Sequence, residues 1–82
     1  GGGDPVKTVF VDTSGFYAFL DRNDHFHAEA MRLLLQSEAE TWNLLTSSYV
    51  LHESWALIQA RLGWDAVEDF LRGLVARCRV IW

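Results

Sequence analysis

The chain has 82 residues, half of them hydrophobic and four of them Trp, so it makes one domain at most and must either pack densely or turn apolar surface toward a partner. Seven Lys+Arg against eleven Asp+Glu leave a net charge of −4, which argues against a nucleic-acid coat protein that binds by neutralising phosphates. The same balance is compatible with a nuclease, because a metal site needs carboxylates and the bound ion then supplies the positive charge.

Residues 1–5, Gly-Gly-Gly-Asp-Pro, lack an initiator Met and read as a remnant of cloning; the domain is taken as residues 6–82. Val6 to Val11 is β-branched and aromatic, bounded by Pro5 and by Asp12-Thr13-Ser14-Gly15, and predicts a strand with a central place in its sheet. Thr13 or Ser14 can cap a short helix from Gly15 to Leu20 that carries Phe16 and Leu20 on one face. Asp24 follows a turn as the expected cap of a helix from Phe26 to Gln36, with Ala28, Met31 and Leu35 as its apolar stripe. Leu44 to Thr46 predicts a second strand, and Ser47-Ser48 a cap for a helix from Tyr49 to Leu62 that Gly63 ends. Asp65-Ala66-Val67-Glu68 has the pattern of a capping box, followed by Val67, Phe70, Leu71, Leu74 and Val75 at helical spacing. Cys78 to Trp82 predicts a third strand, and the chain reads as cut there, since a domain seldom stops on Val-Ile-Trp within a strand.

The order β-α-α-β-α-α-β defines an α/β fold with a parallel sheet and helices on its faces, a three-layer Rossmannoid arrangement. Cys78, the single cysteine, rules out a disulfide framework, suits a reducing, cytoplasmic setting, and reads as a small core or sheet residue. No apolar run reaches the roughly 18 residues of a membrane span, and the start has no signal-peptide pattern, so no membrane partner is expected.

In an open parallel sheet, ligands bind outside the carboxyl ends of the strands, where Asp12 stands. With Thr13 and Ser14 available as caps, Asp12 is free for chemistry. Glu53 is the sharper signal. On a helix its neighbours within about 60° are Tyr49, Val50, Ala56, Leu57 and Ala60, none of them charged. A carboxylate on a core-facing stripe costs several kcal/mol unless it binds a cation or is paired, here with Arg61 or Arg79. Two such charges about 4 Å apart at an effective dielectric near 20 repel by about 4 kcal/mol. A proton or a hard divalent cation relieves that, and oxygen-only ligands select Mg²⁺ or Mn²⁺. Metal-assisted phosphodiester hydrolysis is the chemistry such a pair permits.

Val9-Phe10-Val11-Asp12-Thr13-Ser14 with Phe16-Tyr17-Ala18-Phe19-Leu20 resembles the opening of PIN-domain nucleases. Asp24-His25-Phe26-His27-Ala28-Glu29-Ala30 resembles the second helix of that family, and Leu45 to Glu53 its strand-then-helix segment bearing the second acid. The resemblance runs through residues 6–82 in matching order and spacing. It implies a Mg²⁺- or Mn²⁺-dependent endoribonuclease, very often the VapC-type toxin of a type II toxin–antitoxin pair. An RNA substrate and a protein antitoxin come with it, while the unpaired sheet edge left at Trp82 favours homo-oligomeric or strand-swapped association. Asp12 and Glu53 match the first two acids, as catalytic residues and metal ligands, and Thr13 or Ser14 a supporting hydroxyl. The family's further acids lie beyond Trp82, so this chain alone is expected to be inactive.

Other motifs fall short. Asp12-Thr13-Ser14-Gly15 lacks the Gly position of an aspartic protease, and Ser14 stands where a haloacid-dehalogenase phosphatase needs Asp. His52-Glu53 opens a zinc-protease motif, but residue 56 is Ala. His25 and His27 diverge at a helix start and do not chelate. The four Trp could stack bases, but core or interface packing is the safer expectation for most of them. Two alternatives come from other classes: a catalytically dead module that binds an antitoxin-like partner or self-associates through an exposed sheet edge, and a receiver-like nucleotide-binding domain, which leaves Glu53 unexplained.

Overall fold

The computed structural model describes residues 6–82; the cloning-remnant reading of 1–5 lies outside the described residues. Three parallel strands, β1 (Thr8–Phe10), β2 (Asn43–Ser47) and β3 (Cys78–Ile81), form one sheet in the order β1-β2-β3. Between β1 and β2 run helices α1 (Thr13–Leu20) and α2 (His27–Ala39). Between β2 and β3 run α3 (Ser48–Leu62) and α4 (Trp64–Asp69), which continues through a π-helical turn at Phe70–Leu74 and a 3₁₀ turn at Val75–Arg77.

Alternation along the strands separates two faces. Val9, Leu44, Thr46, Cys78 and Val80 are half-buried or buried, whereas Thr8, Phe10, Asn43, Arg79 and Ile81 are exposed. A sheet in simple 1-2-3 order with right-handed crossovers puts both helical connections on one side, so the described residues supply two layers, and Phe10 and Ile81 stand about half exposed on the other face (53% and 52%). β1, whose apolar run predicts a central place, is an edge strand among the described residues; β2 is the central one.

The core lies between helices as much as on the sheet. Phe16 of α1, Val50 and Ile58 of α3, Val67 of α4, and Phe70 and Leu74 form one buried cluster. Phe16 and Phe70 meet edge to face, ring centroids 5.1 Å apart at 82°, the arrangement that aromatic quadrupoles favour.

Several local expectations change. α2 turns His27, Ala30, Leu34 and Ser37 inward, and leaves Ala28, Met31 and Leu35 exposed. His27 decides the rotation: its Nδ1 is 2.8 Å from the Ala18 carbonyl on α1, and Ser37 donates to the Leu34 carbonyl. Asp24 makes a local turn, accepting from the Phe26 N–H at 2.8 Å, while Phe26 itself stands at the start of α2. α3 begins as expected, the Ser47 hydroxyl accepting from the Val50 N–H, and ends at Gly63. There φ is +89° and ψ −176°, a region that glycine occupies almost alone. Gly63 also stands at the start of α4, so Asp65 lies in the first turn and caps nothing. Val67, Phe70 and Leu74 are buried as their spacing predicts, but Leu71 is exposed, because the π-helical turn shifts the face that points inward. None of the four Trp belongs to the buried core: Trp55, Trp64 and Trp82 are exposed, and Trp42 is half-buried beneath the Lys7 ammonium, 4.2 Å from the ring centre.

Candidate active site

The chain leaves β1 at Val11 and turns directly into α1 at Asp12. Asp12 is extended, with φ −100° and ψ −178°, and it is the N-cap of α1. Its Oδ1 accepts from the Gly15 N–H at 3.0 Å and from the Ser14 hydroxyl at 2.9 Å. The elimination that frees Asp12 from capping is therefore wrong: the helix starts one residue after it, so Asp12 does the capping and Ser14 supports Asp12. Both bonds fall on Oδ1. Among the described residues Oδ2 has no hydrogen-bond partner, and it is the oxygen available to a ligand.

Glu53 also stands differently from its expected place. The inward stripe of α3 is Val50, Ser54 and Ile58, and Glu53 is exposed beside it. Glu53 is thus not buried as its apolar neighbours predict: small Ser54 packs inward and turns the buried stripe of α3 by about one position. Neither Arg61 nor Arg79 pairs with Glu53: the ion pairs among the described residues are Arg32–Glu29 and Arg77–Glu38. Arg61 instead lies over the Tyr17 ring, 5.6 Å from its centre. The Asp21 carboxylate beside it and, secondarily, burial raise the Tyr17 phenol above its ordinary range, against a lowering pull from Arg61.

Despite its exposure, Glu53 shares one shallow cleft with Asp12. Asp12, Thr13 and Ser14 form one wall, and Val50, Glu53 and Leu57 the other. The cleft opens at the carboxyl end of β1, where parallel sheets place their ligands. Below it two hydroxyls meet: Ser54, fully buried, is 3.4 Å from the Thr13 oxygen. Among the described residues no group of three or more His, Cys, Asp or Glu gathers where it could hold a metal, so the site has two acids. Asp12 and Glu53, with hydroxyls beside them, are hard oxygen donors of the kind Mg²⁺ or Mn²⁺ takes while keeping several waters.

A second hollow of about 350 Å³ lies between the sheet and α1 and α2, lined chiefly by apolar side chains such as Val9, Phe19, Leu34 and Leu44. Cys78 lines it too, and burial pushes its thiol up, as its reading as an inert sheet residue requires.

A parallel sheet with an acid at the tip of its first strand, a second acid lining the same cleft from the helix after the second strand, and helical crossovers defines a PIN-like α/β fold. No family model matches the chain, and no curated protein matches it. Among solved structures it is similar to the VapC20 toxin of Mycobacterium tuberculosis, a toxin that cleaves the sarcin–ricin loop, with a TM-score of 0.71 and 30% identity. The match covers 87% of this chain and 53% of that one, so the chain spans about half the length of VapC20. The likeness to VapC-type PIN-domain nucleases read from the sequence is thus present in the fold.

Proposed function

We propose that this chain carries two acids of the metal centre of a Mg²⁺- or Mn²⁺-dependent endoribonuclease of the VapC toxin type, with RNA as substrate and a protein antitoxin as partner. The observation that supports it most is the meeting of Asp12 and Glu53, from separate elements, in one cleft at the end of β1. The likeness to a toxin that cleaves the sarcin–ricin loop adds the substrate class.

Ser14 and the Gly15 N–H hold Asp12 Oδ1 and leave Oδ2 without a hydrogen-bond partner among the described residues; Glu53, free of any ion pair among them, supplies the second donor. A divalent ion bound between them would activate water and neutralise charge developing on a phosphodiester. With two carboxylates only, the purified chain is expected to bind Mn²⁺ weakly and to leave RNA uncut.

Paramagnetic broadening by Mn²⁺ tests this reading. The amides of residues 12–15 and 50–54 should broaden in the wild type, and much less in Asp12→Asn and Glu53→Gln. Equal broadening in all three contradicts it. A catalytically inert interaction module is the second reading, favoured by Phe10 and Ile81 on the uncovered sheet face. In that case the chain self-associates or captures an antitoxin, and the two substitutions change neither Mn²⁺ binding nor association.

No helix among the described residues is long and apolar enough to cross a membrane.

A further inference from the structure

Thr46 is fully buried on β2, at a position on the helix-covered face where a β-branched hydrocarbon would serve packing equally well. Its hydroxyl has a specific use: it donates to the Val11 carbonyl at 2.9 Å. The strand register explains why that carbonyl needs a donor. Asn43 donates to Lys7, and Val11 donates to Leu45 at 2.7 Å; the next rung of a parallel ladder would run from the Ser47 N–H to the Val11 carbonyl. That backbone bond is not formed among the described residues. The chain turns away into Asp12 and α1, and the Thr46 side chain takes the rung's place.

We infer that Thr46 is a positioning residue for the acidic cleft: its hydroxyl fixes the peptide plane between Val11 and Asp12, and so aims the Asp12 carboxylate toward Glu53. This rests on the reading of the cleft as a divalent-cation site. Thr46 itself touches no ligand. An outer partner that orients a metal ligand commonly changes affinity by about 10- to 100-fold when removed, and Thr46, one peptide further out, belongs at the lower end.

The test compares Thr46→Val, which keeps shape and removes the hydroxyl, with Thr46→Ser, which keeps the hydroxyl. Mn²⁺ affinity is measured by calorimetry on the full 82-residue chain, with circular dichroism as the check of folding and Asp12→Asn as a control. Thr46→Val should bind Mn²⁺ about tenfold more weakly and shift the metal-free Asp12 and Thr13 amide resonances, while Thr46→Ser stays within about twofold of the wild type. If Thr46→Val does not fold, Thr46→Ser decides alone through the same amide shifts: unmoved resonances and wild-type affinity sustain the role, and a large loss of affinity with the hydroxyl present overturns it. A Thr46→Val chain that is less stable yet binds Mn²⁺ like the wild type makes Thr46 merely structural. Absence of Mn²⁺ binding by the wild type, or equal binding by Asp12→Asn, overturns the metal-site reading and this inference with it.

Discussion

Ser54 and Thr13 join α3 to α1 through their hydroxyls, 3.4 Å apart, and each directly follows one of the two acids, Glu53 and Asp12. The helices that carry the cleft are therefore seated on a contact between two small polar side chains. Ser54 has no exposed surface. Replacing it with Leu overfills the contact and should cost about 1–3 kcal/mol by urea unfolding. Ser54→Ala should cost less than about 1 kcal/mol, since a bond of that length contributes little. Equal stability of Ser54→Leu and the wild type would mean that the helices do not meet there.

Asp12 has two roles that substitution can separate. Asn caps a helix about as well as Asp, whereas Ala does not. Asp12→Asn should stay within about 0.5 kcal/mol of the wild type in stability, and Asp12→Ala should lose about 1 kcal/mol. Both remove the charge, so both should lose Mn²⁺ binding. Thermal unfolding of the two variants side by side checks the cap.

Gly63 links α3 to α4 at φ +89° and ψ −176°, and a Cβ there would meet nothing within 4 Å. Any penalty is then one of backbone conformation. Gly63→Ala should cost about 1–3 kcal/mol, read as a lowered urea midpoint with an unchanged slope. A neutral result would show that the link relaxes to another conformation.

Tyr17 should titrate above its ordinary value of 10.0, chiefly because of the Asp21 carboxylate beside it. A group whose folded value is raised stabilises the fold fully below its unfolded value, and loses that contribution as pH climbs through the folded one. The contribution is therefore present up to about pH 10 and lost above it. Tyrosinate absorbance in a Tyr49→Phe background follows Tyr17 alone, and Asp21→Asn should lower its midpoint. No movement on that substitution would remove Asp21 as the cause.

Much of the fold was legible in the residues themselves. Three strands, the crossover helices, the Ser47 cap and the stop at Gly63 follow from local patterns that packing did not have to override. The misplaced details share one cause: they depend on which side of a helix meets its neighbour. In α2 a bond from His27 to Ala18 and a buried Ser37 set the rotation, and an apolar count that favours Met31 and Leu35 misses both. In α3 buried Ser54 does the same, so Glu53 was placed inward by one step. That Asp12 and Glu53 line one cleft is legible all the same, because it needs only the tip of β1 and the helix after β2; their joint role as ligands is the proposal. From sequence alone Thr46 is no more than the end of a strand; an isolated Thr in an apolar strand, opposite the residue before an acid, is the signal that points to its role.

A double-mutant cycle in Mn²⁺ affinity, with wild type, Asp12→Asn, Glu53→Gln and the double variant, tests most directly whether the two acids hold one ion. Calorimetric titration should show each single substitution abolishing most of the binding, with the double variant little worse than either, because the second loss removes a ligand from a site already empty. Strictly additive losses, or wild-type affinity in either single variant, would contradict a shared ion.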